Sequence, residues 1–398
     1  MAEYCENVSY EWRSCIAAAL LICNGMSIIG ILAANTHGMN MLNTVKDTPA
    51  ESNNMNDLQV GSAFRKPAEF DRHERTWMIW PHREDQYEYR LPPMQAEYAK
   101  IVEAISQFEP VTVVAHPAHA ETARRRLGNM ADVIVMPVDD FWARDCGPSF
   151  VRNAEGKLAG VDWRFNSWGG KHSPWKDDDL LASRILQIEG AEVRRSWLTT
   201  EGGSFALDGD GTLIITETSI LNPNRNPGVN KALAESELKA MLGVEKVVWL
   251  PGDPMDRETD GHIDGMCAFV RPGVVLFESN PDPRDPHSRI LKENLAFLRS
   301  QNDAKGRSFE IIPLEEAIEA EVTSDVFCRS YINFYIANGG VIVPGYGIPG
   351  DAKAMATIQS AYPGRKVVMV QVNAIAAGGG AIHCITQEQP VAGARTKP

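Results

Sequence analysis

Cys384 lies four residues beyond three consecutive glycines, Gly378, Gly379 and Gly380, across Ala381-Ile382-His383. Glycine has no side chain to pack and loses the most backbone entropy on ordering, so such a run marks a close approach or a turn with positive φ. Cysteine becomes a strong nucleophile at neutral pH once it is ionised. Standing alone, the stretch reads first as a small buried thiol beside a turn. Upstream, Thr259-Asp260-Gly261-His262-Ile263-Asp264-Gly265 sets a histidine and a carboxylate two residues apart. In extended chain alternate side chains share a face, so His262 and Asp264 serve one pocket. By the same period His383 and Cys384 diverge, which makes His262 the better candidate for a base. Trp142-Ala143-Arg144-Asp145-Cys146-Gly147-Pro148 adds Asp145, and Glu201-Gly202-Gly203 adds Glu201. Paired carboxylates can clamp a cation with forked donors, and Asp145 with Asp264 is the candidate clamp. The plainer reading of Asp145 is an ion pair with Arg144 on the surface.

Together with Asn222-Pro223-Asn224-Arg225-Asn226-Pro227 and the run from Gly379 to Pro390, these motifs resemble the agmatine deiminase family. That family belongs to the wider guanidino-modifying (pentein) group, which includes arginine and peptidylarginine deiminases. The resemblance runs from about Phe64 to Pro390. It implies a five-bladed α/β propeller with its active site on the central axis. It also implies that Cys384 attacks the guanidinium carbon while His262 protonates the departing ammonia. His262 then activates the water that releases a ureido product, with Glu201 orienting His262 or a substrate nitrogen. Trp142 and Trp168 are expected either to wall the slot for the aliphatic chain or to be core, and Gly379 and Gly380 to approach the substrate. No metal or cofactor is expected. The main expectation is agmatine hydrolysis to N-carbamoylputrescine. The alternatives are a peptidylarginine or free-arginine deiminase, or a non-catalytic propeller that binds without reacting. Plant members of the family commonly carry Asn at the positions of Asp260 and Gly265, which bears on substrate fit rather than reaction type.

The elements that must position these residues alternate from Trp77 onward. Short β-rich runs occur at Val111–Val114, Val133–Val138, Leu213–Thr216, Val247–Leu250, Val274–Phe277, Phe309–Ile312, Val341–Val343 and Val367–Val370. Helical spacing occurs in Met94–Phe108, Leu180–Ile188, Lys231–Leu242, Ser288–Leu298 and Ala352–Ala361. Asp177, Asp178 and Asp179 stand where they would complement the positive end of the second helix. Ile134, Val193, Val248, Ile311 and Val368 fall in β-like runs at intervals of about 60 residues, the period of a repeated αβ unit. The candidate residues recur after the strands of units one, two, three and five; unit four offers only Tyr331 and Asn333, without a role.

The 398 residues are 44% hydrophobic and 23% charged, an ordinary globular composition. A formal charge of −13 argues against nucleic acid and suits a small cationic guanidino substrate. Neither membrane nor nucleic acid is an expected partner, and a homo-oligomer is allowed. Seven cysteines without a Cys-x-x-Cys give neither a disulfide framework nor a zinc site. Cys146, Cys267 and Cys328 lack a comparable setting and read as inert thiols. Residues 1–62 read as an extension and 63–392 as the catalytic domain. The apolar run 16–34 is interrupted by Asn24, Gly25, Ser27 and Gly30 and fits neither a secretory signal nor a membrane span well. The expected location is cytoplasmic, with export or tethering the alternative if residues 16–34 act as a signal.

Overall fold

The computed structural model describes residues 63–393, so the proposed extension and its apolar run lie outside the described residues. Strand β1 (His73–Ile79) pairs in parallel with β2 (Val111–Ala115) through the helix Leu91–Ser106. Strand β2 in turn pairs in parallel with β3 (Asp132–Val135) through Ala120–Leu127. A repeated pattern follows: an antiparallel strand pair, a crossover helix, and a third strand parallel to the second. It builds β4 (Ser149–Arg152), β5 (Leu158–Arg164) and β6 (Glu192–Thr199), then β7 (Ala206–Leu207), β8 (Thr212–Thr216) and β9 (Lys246–Leu250). The pattern recurs in β10 (Cys267–Arg271), β11 (Val274–Ser279) and β12 (Glu310–Glu315), and in β13 (Tyr335–Ala337), β14 (Gly340–Gly345) and β15 (Lys366–Gln371). The last strand, β16 (Gln387–Pro390), returns to pair antiparallel with β1. The first sheet is thereby completed from both ends of the described chain, giving five separate sheets.

Local sequence accounts for these elements. The middle strands are covered on both faces and read as unbroken apolar runs: all of Gly340-Val341-Ile342-Val343-Pro344-Gly345 is buried. The crossover helix Lys231–Leu242 buries Ala234, Leu238 and Leu242, one face of a 3.6-residue period. Asn230 starts it by accepting the Leu233 N–H, and Gly243 ends it with φ 67°, the left-handed C-terminal conformation. Asp285 and Pro286 start the helix Pro286–Arg299 in the same manner.

Three sequence expectations change. The helix Ala120–Leu127 was not anticipated, because only Ala120, Ala123 and Leu127 are buried and three arginines follow in a row. It delivers the extra strand β3, so Ile134 is not the first member of the repeat. The counterpart is Val113, which faces Met78 as Ile311 faces Val275. The acidic trio lies within a short helix of its own, Lys176–Asp179, and fastens loops. Asp178 accepts the backbone N–H of Asp139 (2.7 Å) and Asp140 (2.9 Å), and Asp179 accepts that of Phe165 (2.8 Å).

Candidate active site

The polar residues sit at one recurring place, the loop that leads into the first strand of each sheet. Asp145 precedes β4, Glu201 precedes β7, His262 and Asp264 precede β10, Asn333 precedes β13, and Cys384 precedes β16. All six are buried. Side chains placed there in different units meet: Glu201 reaches His262 (3.2 Å), Asp264 reaches Cys384 (3.5 Å) and Asn333 reaches Cys384 (3.1 Å).

Gly203 marks where they meet. A Cβ on that glycine would lie 2.5 Å from His262 Nδ1, 2.8 Å from Asp145 Oδ1 and 3.0 Å from Asp264 Oδ2. The base candidate and both carboxylates of the expected clamp therefore surround one point, and only glycine leaves it free. Asp145 is held by the N–H of Gly203 (3.0 Å) and the indole N–H of Trp168 (2.9 Å). It does not pair with Arg144, which is buried and points to Glu69 (3.1 Å) and Glu388 (2.7 Å). His262 Nε2 lies 3.2 Å from Glu201 Oε2, while its Nδ1 has no hydrogen-bond partner among the described residues. This ring nitrogen, 3.8 Å from Asp145 Oδ1 on a residue that lines a cavity, is where a reacting group would be met.

The glycine run is explained by the packing around Cys384. Gly379 has φ 103°, and a Cβ there would meet Glu258 Cγ at 2.9 Å. A Cβ on Gly380 would lie 2.6 Å from the Trp142 ring and 3.0 Å from the Cys384 sulfur. Trp142 thus backs the turn that carries the nucleophile candidate, with its indole N–H on the Tyr87 hydroxyl (3.1 Å). Of the four residues expected to contact substrate, only Gly379 lines the cavity of about 290 Å³ onto which Cys384 opens, together with His262 and Asp264. Trp168 spends its indole N–H on Asp145 instead.

Two residues that the sequence left without a role, His383 and Asn333, join the site. Residues 382–385 form a turn, not a strand, so His383 and Cys384 do not diverge. His383 Nδ1 lies 2.8 Å and Cys384 Sγ 3.5 Å from the same Asp264 Oδ2. Asn333 donates from Nδ2 to the Cys384 sulfur (3.1 Å). Behind them, His383 Nε2 reaches Glu69 (3.0 Å), itself paired with Arg144. The Asn222–Pro227 motif has a similar supporting place: Arg225 donates to Glu201 (2.7 Å) and to Asp260, and Asn224 also donates to Asp260 (2.9 Å).

The electrostatics follow from burial and these partners. Burial opposes a charged imidazole at His262, yet Asp145, the Glu201 hydrogen bond and Asp264 together push it up to about 9. At His383 burial and Arg144 are overcome by Glu69 and Asp264, again to about 9. Burial lifts Asp145 to about 6 against the pull of His262. Burial also opposes ionisation of Asp264, but His383 holds it below the usual carboxylate range. The Cys384 thiol is driven well above its ordinary value by burial and by Asp264 and Asp145. The resting cluster is a neutral thiol facing carboxylates, a site short of positive charge beside its sulfur. Cys146, Cys267 and Cys328 are also held as thiols by burial, and Cys328 lines the same cavity.

Five like α/β units whose linking loops converge on a cysteine, a histidine and carboxylates define the pentein class, the five-bladed α/β propellers that act on guanidino groups. Residues 65–390 match the Porphyromonas-type peptidyl-arginine deiminase family, and the chain belongs to that family. It is 43% identical over 352 residues to an agmatine deiminase of Pseudomonas aeruginosa, covering 82% of this chain and 95% of that one. It is likewise 43% identical, with the same coverage, to an agmatine deiminase of Pseudomonas fluorescens. The solved agmatine deiminase of Enterococcus faecalis is similar with a TM-score of 0.81 at 38% identity, covering 83% of this chain and 98% of that one.

Proposed function

We propose that the protein hydrolyses agmatine to N-carbamoylputrescine and ammonia through a covalent intermediate on Cys384. The observation that carries this reading is the meeting of His262, Asp145 and Asp264 around Gly203, with His262, Asp264 and Cys384 lining one cavity and the Cys384 sulfur 3.5 Å from Asp264. A guanidinium seated between Asp145 and Asp264 donates to both carboxylates and presents its carbon to the sulfur. Its charge also supplies what the resting thiol lacks, so ionisation of Cys384 accompanies substrate binding. The sulfur forms a bond to carbon, the carbon–nitrogen bond breaks, and the imidazolium of His262 gives its proton to the departing ammonia. The intermediate is a thiouronium on Cys384. His262, now neutral, takes a proton from water as the oxygen bonds to the same carbon. The carbon–sulfur bond then breaks as the hydroxyl proton passes to the sulfur, leaving the ureido product and the thiol. Glu201, fixed by Arg225, holds His262 through Nε2 and leaves Nδ1 for these transfers.

No step calls for a metal or an organic cofactor. The product is one hydrolysis from putrescine, which places the reaction in polyamine synthesis. The free thiols at Cys146, Cys267, Cys328 and Cys384 suit a reducing compartment and favour the cytoplasm. Among the described residues no helix is long and apolar enough to cross a membrane. The test is ammonia release from purified protein offered agmatine, free arginine and an arginine peptide. Agmatine is expected to be consumed fastest; a preference for either of the others would move the assignment to the corresponding deiminase.

A further inference from the structure

A second cavity, of about 740 Å³, shares no lining residue with the one onto which Cys384 opens. It lies at the other end of the strands. Asp264 stands just ahead of β10, whereas Arg271, the last residue of β10, lines the second cavity. Strand β10 has five residues, so its two ends are about 13 Å apart. The remaining walls are residues 70–72 ahead of β1, the turn Asn338-Gly339 between β13 and β14, and residues 361–365, which lead from the last crossover helix into β15.

The charge of this cavity runs against that of the chain. Arg72, Arg271 and Arg365 line it against a single carboxylate, Asp71, in a protein with a formal charge of −13. Arg365 is half-buried, and its two Nη groups donate to the carbonyls of Ala337 and of Phe70 (2.6 Å). Two carbonyls fix the guanidinium in place without neutralising it. Burial holds it below its ordinary value although Tyr362, Glu109 and Asp71 pull the other way, as expected of a cation short of an anion. Arg72 is exposed and has no ion-pair partner among the described residues. Arg271 pairs with Glu310 (3.2 Å), but both side chains are more than half exposed, where such a pair contributes little.

Phe70, Phe108 and Tyr362 complete the wall. Two of the rings are held firmly: a Cβ on Gly340 would lie 2.6 Å from the Phe108 ring, and the Tyr362 hydroxyl donates to the Phe269 carbonyl (3.0 Å). A guanidinium presents forked donors that match a phosphate bidentately, and here three of them come from separate segments. The volume falls within the range of small-molecule sites.

We propose that this cavity binds a small phosphorylated molecule through Arg72, Arg271 and Arg365. Phosphate is the chemistry shared by two sources, an inorganic polyphosphate and a nucleotide, of which the second would also use the aromatic wall. The site is separate from the reacting cluster and does not depend on the deiminase reading.

The test is isothermal titration of the full chain with tripolyphosphate, ATP and adenosine, in the unaltered protein, Arg72→Gln and Arg365→Gln. Tripolyphosphate, ATP or both should bind once per chain and adenosine should not, and the tighter of the two identifies the source. Each substitution should weaken that binding about tenfold or more, the worth of a charge-assisted hydrogen bond. The bound ligand should also raise the thermal midpoint of the unaltered protein by more than that of either variant. Ammonia release from agmatine should be unchanged in Arg72→Gln. Heat from none of the three compounds, binding that both substitutions leave unweakened, or adenosine binding as tightly as ATP would overturn the site. Arg72 is exposed, so its variant decides the matter even if Arg365→Gln does not fold.

Discussion

The Nδ2 amide of Asn333 stands 3.1 Å from the sulfur of Cys384, while its Oδ1 accepts the N–H of Ala381 (3.1 Å) and of Cys384 (3.3 Å). One side chain thus fixes the nucleophile's turn and puts a donor on the sulfur. A donor to a forming thiolate favours the charged form. Asn333→Ala should lower kcat by about tenfold to a hundredfold, the worth of a hydrogen bond to a charged group. Asn333→Asp, which sets a further negative charge beside the sulfur, should do worse. The alkylation rate of Cys384 against pH provides a second readout, with its midpoint moving upward in both variants. Unchanged rates and midpoints would show that the contact is incidental.

Gly203 provides a sharper steric test. An added methyl would enter the space shared by His262, Asp145 and Asp264. Gly203→Ala should fold with a stability loss of about 1–3 kcal/mol, typical of overpacking. Displacing reacting groups on the ångström scale should reduce turnover about a hundredfold. A thermal melt beside a rate assay separates the two effects, and full activity would mean that the reaction centre lies elsewhere.

Only one of the described cysteines should be essential. Cys384→Ser should abolish ammonia release, while Cys146→Ser and Cys267→Ser should retain most of it. Cys146 donates to the Trp142 carbonyl (3.3 Å) and Cys267 is buried at the start of β10, where burial holds both as thiols. A normally active Cys384→Ser protein would end the covalent mechanism.

The raised carboxyl of Asp145 predicts how binding depends on pH. It is ionised above about 6 and protonated below, and only the ionised form pairs with a guanidinium. Agmatine affinity, measured calorimetrically on Cys384→Ala to stop the chemistry, should therefore be flat above that value and fall as pH drops through it. Asp145→Asn in the same background should bind weakly at every pH. An affinity that stays constant down to pH 4 would remove Asp145 from the clamp.

Much of this arrangement was legible before any coordinates, for a physical reason. Cys384 and Glu201 lie close behind or next to glycines, because the backbone must come close where side chains from several units crowd together. The five crossover helices were visible from their apolar spacing. His383 was missed because the period-2 argument presumes a strand, and residues 382–385 are a turn. Asn333 was named only as one of two residues that unit four offers, without a role, because nothing beside it in sequence marks it. Its signal is positional, the same loop before the first strand of a sheet that carries Asp145, Glu201, Asp264 and Cys384. Glu69 and Glu388 reach the site's supporting shell only because β16 pairs with β1, a contact between chain ends that no local pattern encodes.

The covalent intermediate is the centre of the account, and intact-peptide mass spectrometry of protein quenched during agmatine turnover tests it most directly. The peptide containing Cys384 should gain the mass of agmatine less ammonia, and the gain should disappear once substrate is exhausted. Steady ammonia release with an unmodified Cys384 peptide, or with the added mass on another residue, would contradict it.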